Sequence, residues 1–185
     1  MLDATRIKQM VRWKEKDTDE VRFSDYEIWE AINEVLRYVA NRLANMQSDV
    51  TEREKVYDDA AVFADGAPLP DDFLSIKGLY RLADGYRLHA VSDERVTADT
   101  FRLFGGKLYA AEPFRLQYYG TLGAAKDGWL INLPESFTDA LVKLTRMVLN
   151  NTDEDTMTQA VMSEVEAIVP RRKYNGLRPK MPFSM

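Results

Sequence analysis

One long stretch of this sequence constrains the fold most, because its apolar residues recur at the spacing of an amphipathic helix. Ser24 followed by Glu27 forms the capping-box pattern that begins many helices. Apolar residues then follow every three or four positions: Ile28, Ile32, Val35, Leu36, Val39, Leu43 and Met46. The pattern predicts a helix over about 25–46 that buries one face, with Trp29 and Tyr38 packing at its flanks.

Three further helices are predicted from the same periodicity. A short one covers about 4–14 and ends at a run of charged residues, and two more cover about 135–150 and 153–169. The oxygen-bearing side chains at 152–155 suit a helix start and lack the Gly and bidentate Glu of a calcium loop. The periodic residues of these helices are Ile7, Met10, Val11 and Lys14; Phe137, Leu141, Leu144 and Val148; and Met157, Val161, Val165 and Ile168.

Between the second and third helices the pattern changes to short stretches rich in Val, Tyr, Phe and Leu. Asp84-Gly85 and Gly105-Gly106 supply the positive φ angles that tight hairpin turns require. A rigid corner is predicted at 68–74, where Asp71 can cap a single helical turn after Pro70. The candidate strands are 54–63, 76–82, 86–90, 101–104, 107–110 and 114–120.

These elements predict an α+β fold that is mainly α. We expect a single domain over 1–169, consisting of a bundle of about four helices with a β-rich insertion at about 54–120. An extended C-terminal arm is expected over 170–185, since its three prolines cannot continue the preceding helix. At 185 residues and 45% hydrophobic content, the chain can bury a real core.

Composition excludes several function classes. The chain has no cysteine, so it has no disulfide framework, thiolate metal site or cysteine nucleophile. No apolar run approaches the length of a membrane helix, and the first thirteen residues are too polar for a signal peptide. We therefore expect a soluble protein made in the cytoplasm, with no membrane partner.

The arm differs sharply in charge from the rest of the chain. Residues 170–185 carry five basic side chains and no acidic one, whereas the preceding 169 residues carry 20 basic and 30 acidic ones, for formal charges of +5 and −10. Such an arm is attracted to an acidic partner, and its interleaved apolar residues favour a protein groove. The alternative is a terminus that binds nothing. The candidate binding residues are Arg171, Arg172, Lys173, Tyr174, Leu177, Arg178, Lys180, Met181 and Phe183.

Signals of enzymatic chemistry are weak, and we predict no catalytic residue, metal site or cofactor. His89, the only histidine, has no nucleophile motif around it, and Gly105-Gly106 lacks the length and lysine of a phosphate loop. The pairs Asp58-Asp59 and Asp71-Asp72 lack a third metal ligand, and Tyr118-Tyr119 is interpreted as core and rim packing rather than as a base-stacking pair.

The order of these parts resembles a known family. The elements concerned are the long helix at 24–46, the corner Leu69-Pro70-Asp71-Asp72-Phe73-Leu74, the strands at 86–90 and 107–119, and Leu133-Pro134-Glu135 before two terminal helices. In this order they resemble the head-to-tail adaptor, or connector, proteins of tailed double-stranded DNA bacteriophages. The tail tubular A type of short-tailed phages is included in that likeness. The resemblance covers about residues 24–170.

The resemblance implies a virion structural protein without catalysis or cofactor. It implies a dodecameric ring beneath the portal that extends the DNA channel toward a tail or gatekeeper protein, without specific DNA binding. It also implies that the C-terminal arm docks on the portal, and that the protein resides in the virion neck after assembly in the host cytoplasm. Two alternatives remain open: a small nucleic-acid-associated protein that uses its basic arm, and a metal-dependent hydrolase built on the Asp pairs.

Overall fold

The structure, a computed structural model, describes residues 1–59, 65–92 and 95–169. These residues form four α-helices together with nine strands, which confirms the predicted α+β class with helix predominating. The helices are α1 (Ala4–Glu15), α2 (Asp25–Asn45), α3 (Thr138–Leu149) and α4 (Glu154–Ile168). Two 3₁₀ turns, Asp49–Thr51 and Glu135–Phe137, follow α2 and precede α3.

Helix α2 is the centre of the helical body. Its capping box forms as predicted: the Glu27 amide donates to Ser24 Oγ at 3.2 Å, and the Ser24 amide donates to Glu27 Oε2 at 2.7 Å. The apolar stripe from Ile28 to Leu43 is buried, whereas Arg37 is exposed. Residues from all four helices join this stripe in one core, which leaves Trp29 and Tyr38 packed at its edge as expected.

The ends of the other helices are set by local capping. The side chain of Asp3 accepts from the Thr5 amide at 2.9 Å and caps the start of α1, and Lys16 in the left-handed conformation follows its last residue. Asp153 rather than Thr152 begins α4, because its side chain accepts from the Thr156 amide at 2.9 Å. The predicted role of residues 152–155 as a helix start is thus confirmed, with Asp153 as the capping residue.

The strands form three small sheets. In chain order they are β1 (Leu2–Asp3), β2 (Glu52–Tyr57), β3 (Ala67–Pro68), β4 (Phe73–Arg81), β5 (His89–Ala90), β6 (Thr100–Phe104), β7 (Lys107–Ala110), β8 (Phe114–Gly120) and β9 (Leu130–Ile131). The sheet orders are β1-β9, β2-β8-β4 and β3-β7-β6-β5. The insertion therefore consists of β2 to β8, and its first and last strands are antiparallel neighbours that pair from Glu52 with Tyr119 to Tyr57 with Phe114.

The insertion has its own apolar core, separate from that of the helical body. Leu79, Leu108, Phe114 and Leu116 are fully buried at its centre. The Tyr57 and Phe114 rings stack with centroids 5.0 Å apart. Leu74 of β4 instead packs against the helical core, which places the start of β4 at the junction of the two regions.

Three details of the predicted β region are corrected. The Pro70 corner is a turn without helix, in which the Phe73 amide donates to the Pro70 carbonyl at 3.1 Å, and β4 begins immediately at Phe73. The first strand spans only Glu52–Tyr57 within the described residues, and the predicted part at 60–63 lies outside them. The predicted strand at 86–90 is reduced to His89–Ala90, because that segment leaves β4 after one bridge and pairs in parallel with β6.

Candidate interaction surfaces

The predicted docking arm lies outside the described residues. This applies to all nine of its candidate binding residues: Arg171, Arg172, Lys173, Tyr174, Leu177, Arg178, Lys180, Met181 and Phe183. The structure does describe the point from which the arm departs. Helix α4 ends at Ile168, and the Val169 amide still donates to the Val165 carbonyl at 2.8 Å.

A buried ionic junction joins α1 to the start of α2. Arg12 donates to Asp17 Oδ2 at 2.9 Å and to Asp25 Oδ1 at 2.5 Å, and Arg12 and Asp17 are only 6% and 4% exposed. Asp17 also accepts from the amides of Arg22 and Phe23, at 2.7 and 3.1 Å. These contacts fix the segment at 16–23 onto the helical body.

The junction changes the acidity of its carboxyl groups. The backbone N–H of Arg22 is the main cause that holds the pKa of Asp17 below its ordinary value, and the Arg12 charge adds to it. Hydrogen bonds from Lys8 and Arg12 hold the pKa of Asp25 below its ordinary value as well. Both carboxylates therefore stay ionised and paired at neutral pH.

A second ionic contact fastens the same segment to α3. Glu15, whose side chain is almost fully buried, accepts from Arg146 Nε at 2.6 Å and from Arg22 Nη1 at 2.9 Å. The end of the bundle where these contacts lie also bears three exposed apolar side chains: Trp13, Val21 and Tyr26.

An acidic groove runs between α2 and the corner that joins α3 to α4. It consists of two adjoining depressions of about 340 and 370 Å³ that share Glu34, Val148 and Asn151. Four glutamates line it, namely Glu27, Glu30, Glu34 and Glu154, and its apolar lining includes Ala31, Val148, Leu149 and Met157. Together these residues define the acidic groove.

Three of these glutamates have no countercharge within the part of the chain that the structure describes. Glu30, Glu34 and Glu154 make no ion pair with any described residue. Glu27 is held by the capping box, where hydrogen bonds from Ser24 lower its pKa. Arg22 also lines the groove, but it is already paired with Glu15. The groove is thus anionic with an apolar lining, which suits a basic segment that carries apolar residues.

The insertion offers a different surface, a cleft of about 870 Å³ between β4 and β5. Leu79, Leu88 and Phe101 are among its lining residues, and the Leu88 amide donates to the Leu79 carbonyl at 2.9 Å where the two strands approach. At the tip of the β6–β7 hairpin, Phe104 is 65% exposed beside Gly105-Gly106. Both glycines have positive φ, as predicted for a tight turn.

The residues considered as possible catalytic, metal-binding or base-stacking groups include His89, Asp72, Tyr118 and Tyr119. His89 is exposed, with Tyr86 Oη 3.4 Å from its Nε2. Asp72 accepts from Tyr118 Oη at 2.9 Å, and burial together with this contact raises the pKa of Tyr118 to about 12. Tyr118 and Tyr119 are both buried, so neither ring is available to stack on a base. Within 1–59, 65–92 and 95–169, no three His, Asp or Glu side chains lie together as a metal site.

Sequence reasoning missed the ionic junction and the acidic groove. The charged run at 14–20 was interpreted only as a helix end, although Asp17 is buried in it. A signal for the groove does exist, because Glu27, Glu30 and Glu34 are spaced three and four residues apart and so share one face of α2. The opposite wall comes from the α3–α4 corner, more than a hundred residues away.

Comparison with models of known protein families gave no match, and comparison with curated proteins gave none either. The fold, the surfaces and the charge distribution are therefore the features that bear on function. Among the helices that the structure describes, none has the length and apolar character needed to cross a bilayer.

Proposed function

We propose that this protein is a head-to-tail adaptor of a tailed double-stranded DNA bacteriophage, a non-enzymatic virion component that forms a ring beneath the portal. The observation that carries the proposal is the order of the elements. A β module interrupts a helical body between α2 and α3, two helices then complete the body, and a basic segment follows α4. This is the order on which the resemblance to the adaptor family rests.

The charge distribution supports a passive channel rather than a DNA-binding surface. Residues 1–169 have a formal charge of −10. Protein affinity for DNA comes largely from Lys and Arg that neutralise phosphates, and an acidic ring wall repels the backbone instead. DNA can then pass through the ring without being held.

The C-terminal arm is the proposed portal-docking element. Its five basic side chains are concentrated in sixteen residues, together with Tyr174, Leu177, Met181 and Phe183. In such a contact the charges increase the rate of association, while buried apolar anchors provide most of the affinity. A tail or gatekeeper protein would contact the opposite side of the ring.

The test is the mass of the protein alone and after mixing with purified cognate portal rings. We expect separate chains or weak association without the portal, and a ring bound to it when both are present. Deletion of residues 171–185 should abolish binding and leave the circular dichroism spectrum unchanged. Full-strength binding by the truncated chain would contradict the assigned role of the arm, and absence of any portal complex with the intact chain would contradict the adaptor function.

A matched pair of variants separates the charge of the arm from charge in general. Replacing Arg171, Arg172 and Lys173 by Gln should weaken portal binding and flatten its dependence on salt. The control replaces three exposed cations of the body, Arg6, Lys14 and Arg37, by Gln and should bind as the unmodified protein does. Equal weakening by both sets would show that only the net charge matters.

A further inference from the structure

The acidic groove and the C-terminal arm have complementary chemistry. The groove carries Glu30, Glu34 and Glu154 without countercharge among the described residues, above an apolar lining that includes Val148 and Met157. The last part of the arm contains both matching residue types: Arg178 and Lys180 are basic, and Leu177, Met181 and Phe183 are apolar. The basic residues of this stretch match the groove glutamates, and its apolar residues match the apolar lining.

The length of the chain allows the arm to reach the groove of its own molecule. Glu154 and Met157 lie at the start of α4, and the arm follows the end of that helix. The fifteen residues of α4 span about 22 Å at 1.5 Å each. A return along the helix needs about seven extended residues at roughly 3.3 Å each, so the nine residues from Leu177 onward remain to fill the groove.

We infer that residues 177–183 occupy the acidic groove of the same molecule in the free protein. Arg178 and Lys180 pair with the groove glutamates, and the apolar residues of the stretch cover its lining. The basic trio at 171–173 takes no part in this contact. The consequence for assembly rests on the proposed function: the groove competes with the portal for the arm. Binding to the portal therefore requires that residues 177–183 leave the groove.

Paramagnetic NMR on the full chain tests the contact without any portal protein. The chain has no cysteine, so Ser184→Cys provides a single site for a nitroxide label. We expect the amide signals of Glu30, Glu34 and Asn151 to lose most of their intensity at low salt, and to regain it when the nitroxide is reduced. The signals of Gly105 and Gly106, on the β6–β7 turn, should keep theirs. Undiminished groove signals would overturn the inference.

Matched variants test whether charge directs the contact. Replacing Glu30, Glu34 and Glu154 by Gln should restore the groove signals, whereas the control Asp71→Asn, Glu135→Gln and Asp139→Asn, at exposed acids elsewhere, should not. Within the arm, Arg178→Gln with Lys180→Gln should release it, and Arg171→Gln with Arg172→Gln should leave it bound. Signal loss that survives the groove or Arg178/Lys180 variants, or high salt, would contradict recognition by charge.

A mixed sample distinguishes the molecule's own arm from that of a neighbour. Spin-labelled chains without isotope are mixed with ¹⁵N chains that carry no label. The inference requires that the groove signals of the ¹⁵N chains stay intact. Their loss in this mixture would show that a second copy supplies the arm, and would overturn the intramolecular assignment. Because no portal is present, these outcomes are independent of whether the adaptor function is correct.

Discussion

The helical body and the β insertion bury their apolar cores in different ways. In the body, one helix of 21 residues contributes nine buried side chains, and the other helices pack around it. The insertion assembles a smaller core from short strands whose partners are distant in sequence, such as β4 with β8. Comparison of the two shows that the body owes its order to a local pattern, whereas the insertion depends on long-range pairing.

The two regions also use charge differently. The body buries an ionic junction in which Arg12 and Asp17 are both shielded from water. In the insertion, Arg81 pairs with Asp84, Asp99 and Glu112, and the side chain of each of these three acids is at least 45% exposed. Exposed pairs contribute little to stability, because water and salt screen them. The Arg12–Asp17 pair is therefore expected to contribute more to the stability of the body than the pairs of Arg81 contribute to that of the insertion.

The largest effects are expected from cavities in the two cores. Leu36→Ala in α2 should lower the free energy of unfolding by about 2–4 kcal/mol, since the side chain is fully buried. Its neighbour Arg37 is exposed, and Arg37→Ala should cost less than about 0.5 kcal/mol. Urea unfolding measures both, and a larger loss for the Arg37 variant would reverse the assigned faces of the helix.

A second cavity shows whether the two cores unfold separately. Leu108 is fully buried in the core of the insertion. Leu108→Ala should increase hydrogen exchange in β4, β7 and β8 while the amides of α2 keep their protection, because the helical core does not contain this residue. Equal loss of protection in α2 would mean that the two regions form one cooperative unit.

The next effect concerns the buried ionic junction. Arg12→Met should cost about 2 kcal/mol, less than the roughly 3–5 kcal/mol typical when a buried charge loses its partner, because Asp17 keeps two backbone donors. The control is Lys77→Met, which removes the ion pair between Lys77 and Glu52 in the insertion, whose side chains are 31% and 28% exposed, and should cost about 1 kcal/mol or less. Similar losses for the two variants in urea unfolding would show that the buried pair of the body is no more stabilising than the pair in the insertion.

A smaller effect is expected where the two regions join. A Cβ at Gly120 would lie 2.7 Å from Asp72 Oδ2 and 3.1 Å from Arg53 Cγ. Gly120→Ala should therefore displace Asp72 from Tyr118 and cost about 1 kcal/mol, the usual value of one hydrogen bond. A fall in the pKa of Tyr118 from about 12, followed by ultraviolet titration, would accompany it. An unchanged titration would show that Asp72 keeps its position.

The smallest effect per residue is acid sensitivity, for which lowered carboxyl pKa values occur in both regions: the hydrogen bond from Arg81 lowers the pKa of Asp84 in the insertion to about 2. Asp17, Asp25 and Asp153 of the body have a pKa below the ordinary 3.8. A carboxyl group with a lowered folded pKa stabilises the fold above its unfolded pKa, and that contribution is lost as the pH falls through the folded value. The urea midpoint of the body should fall as the pH is lowered below about 3.8, and Asp17→Asn should reduce that fall. An identical pH profile would exclude the junction as its cause.

The helices could be predicted closely because their signals are local. The capping box at Ser24, the α2 stripe and the acidic start of α4 each depend on residues within a few positions of one another. Strand boundaries were less predictable: β5 is short because its segment leaves β4 for a parallel partner, which sequence spacing does not encode. The Gly105-Gly106 turn is the exception, since glycine adopts the positive φ angles of such a turn as readily as negative ones.

Candidate surfaces were harder to predict than the fold. The charged run that contains Asp17 has the composition of a solvated helix end, and only the position of Arg12 and of the following backbone amides makes it buried. The acidic groove likewise combines a helix face that is visible in the sequence with the distant α3–α4 corner. Contacts across the fold determine these sites, and no local pattern specifies them.

The pairing of β2 with β8 allows the insertion to vary in length without moving the two points at which it joins the helical body. Glu52 lies opposite Tyr119, so the chain leaves the helical body and returns to it at neighbouring positions, about 5 Å apart in an antiparallel pair. Apart from contacts such as that of Leu74 with the helical core, the insertion is therefore joined to the body as a closed loop, and doubling the length of such a loop costs only about 0.6 kcal/mol. A longer, shorter or different insertion is therefore expected to leave the register of the helices unchanged.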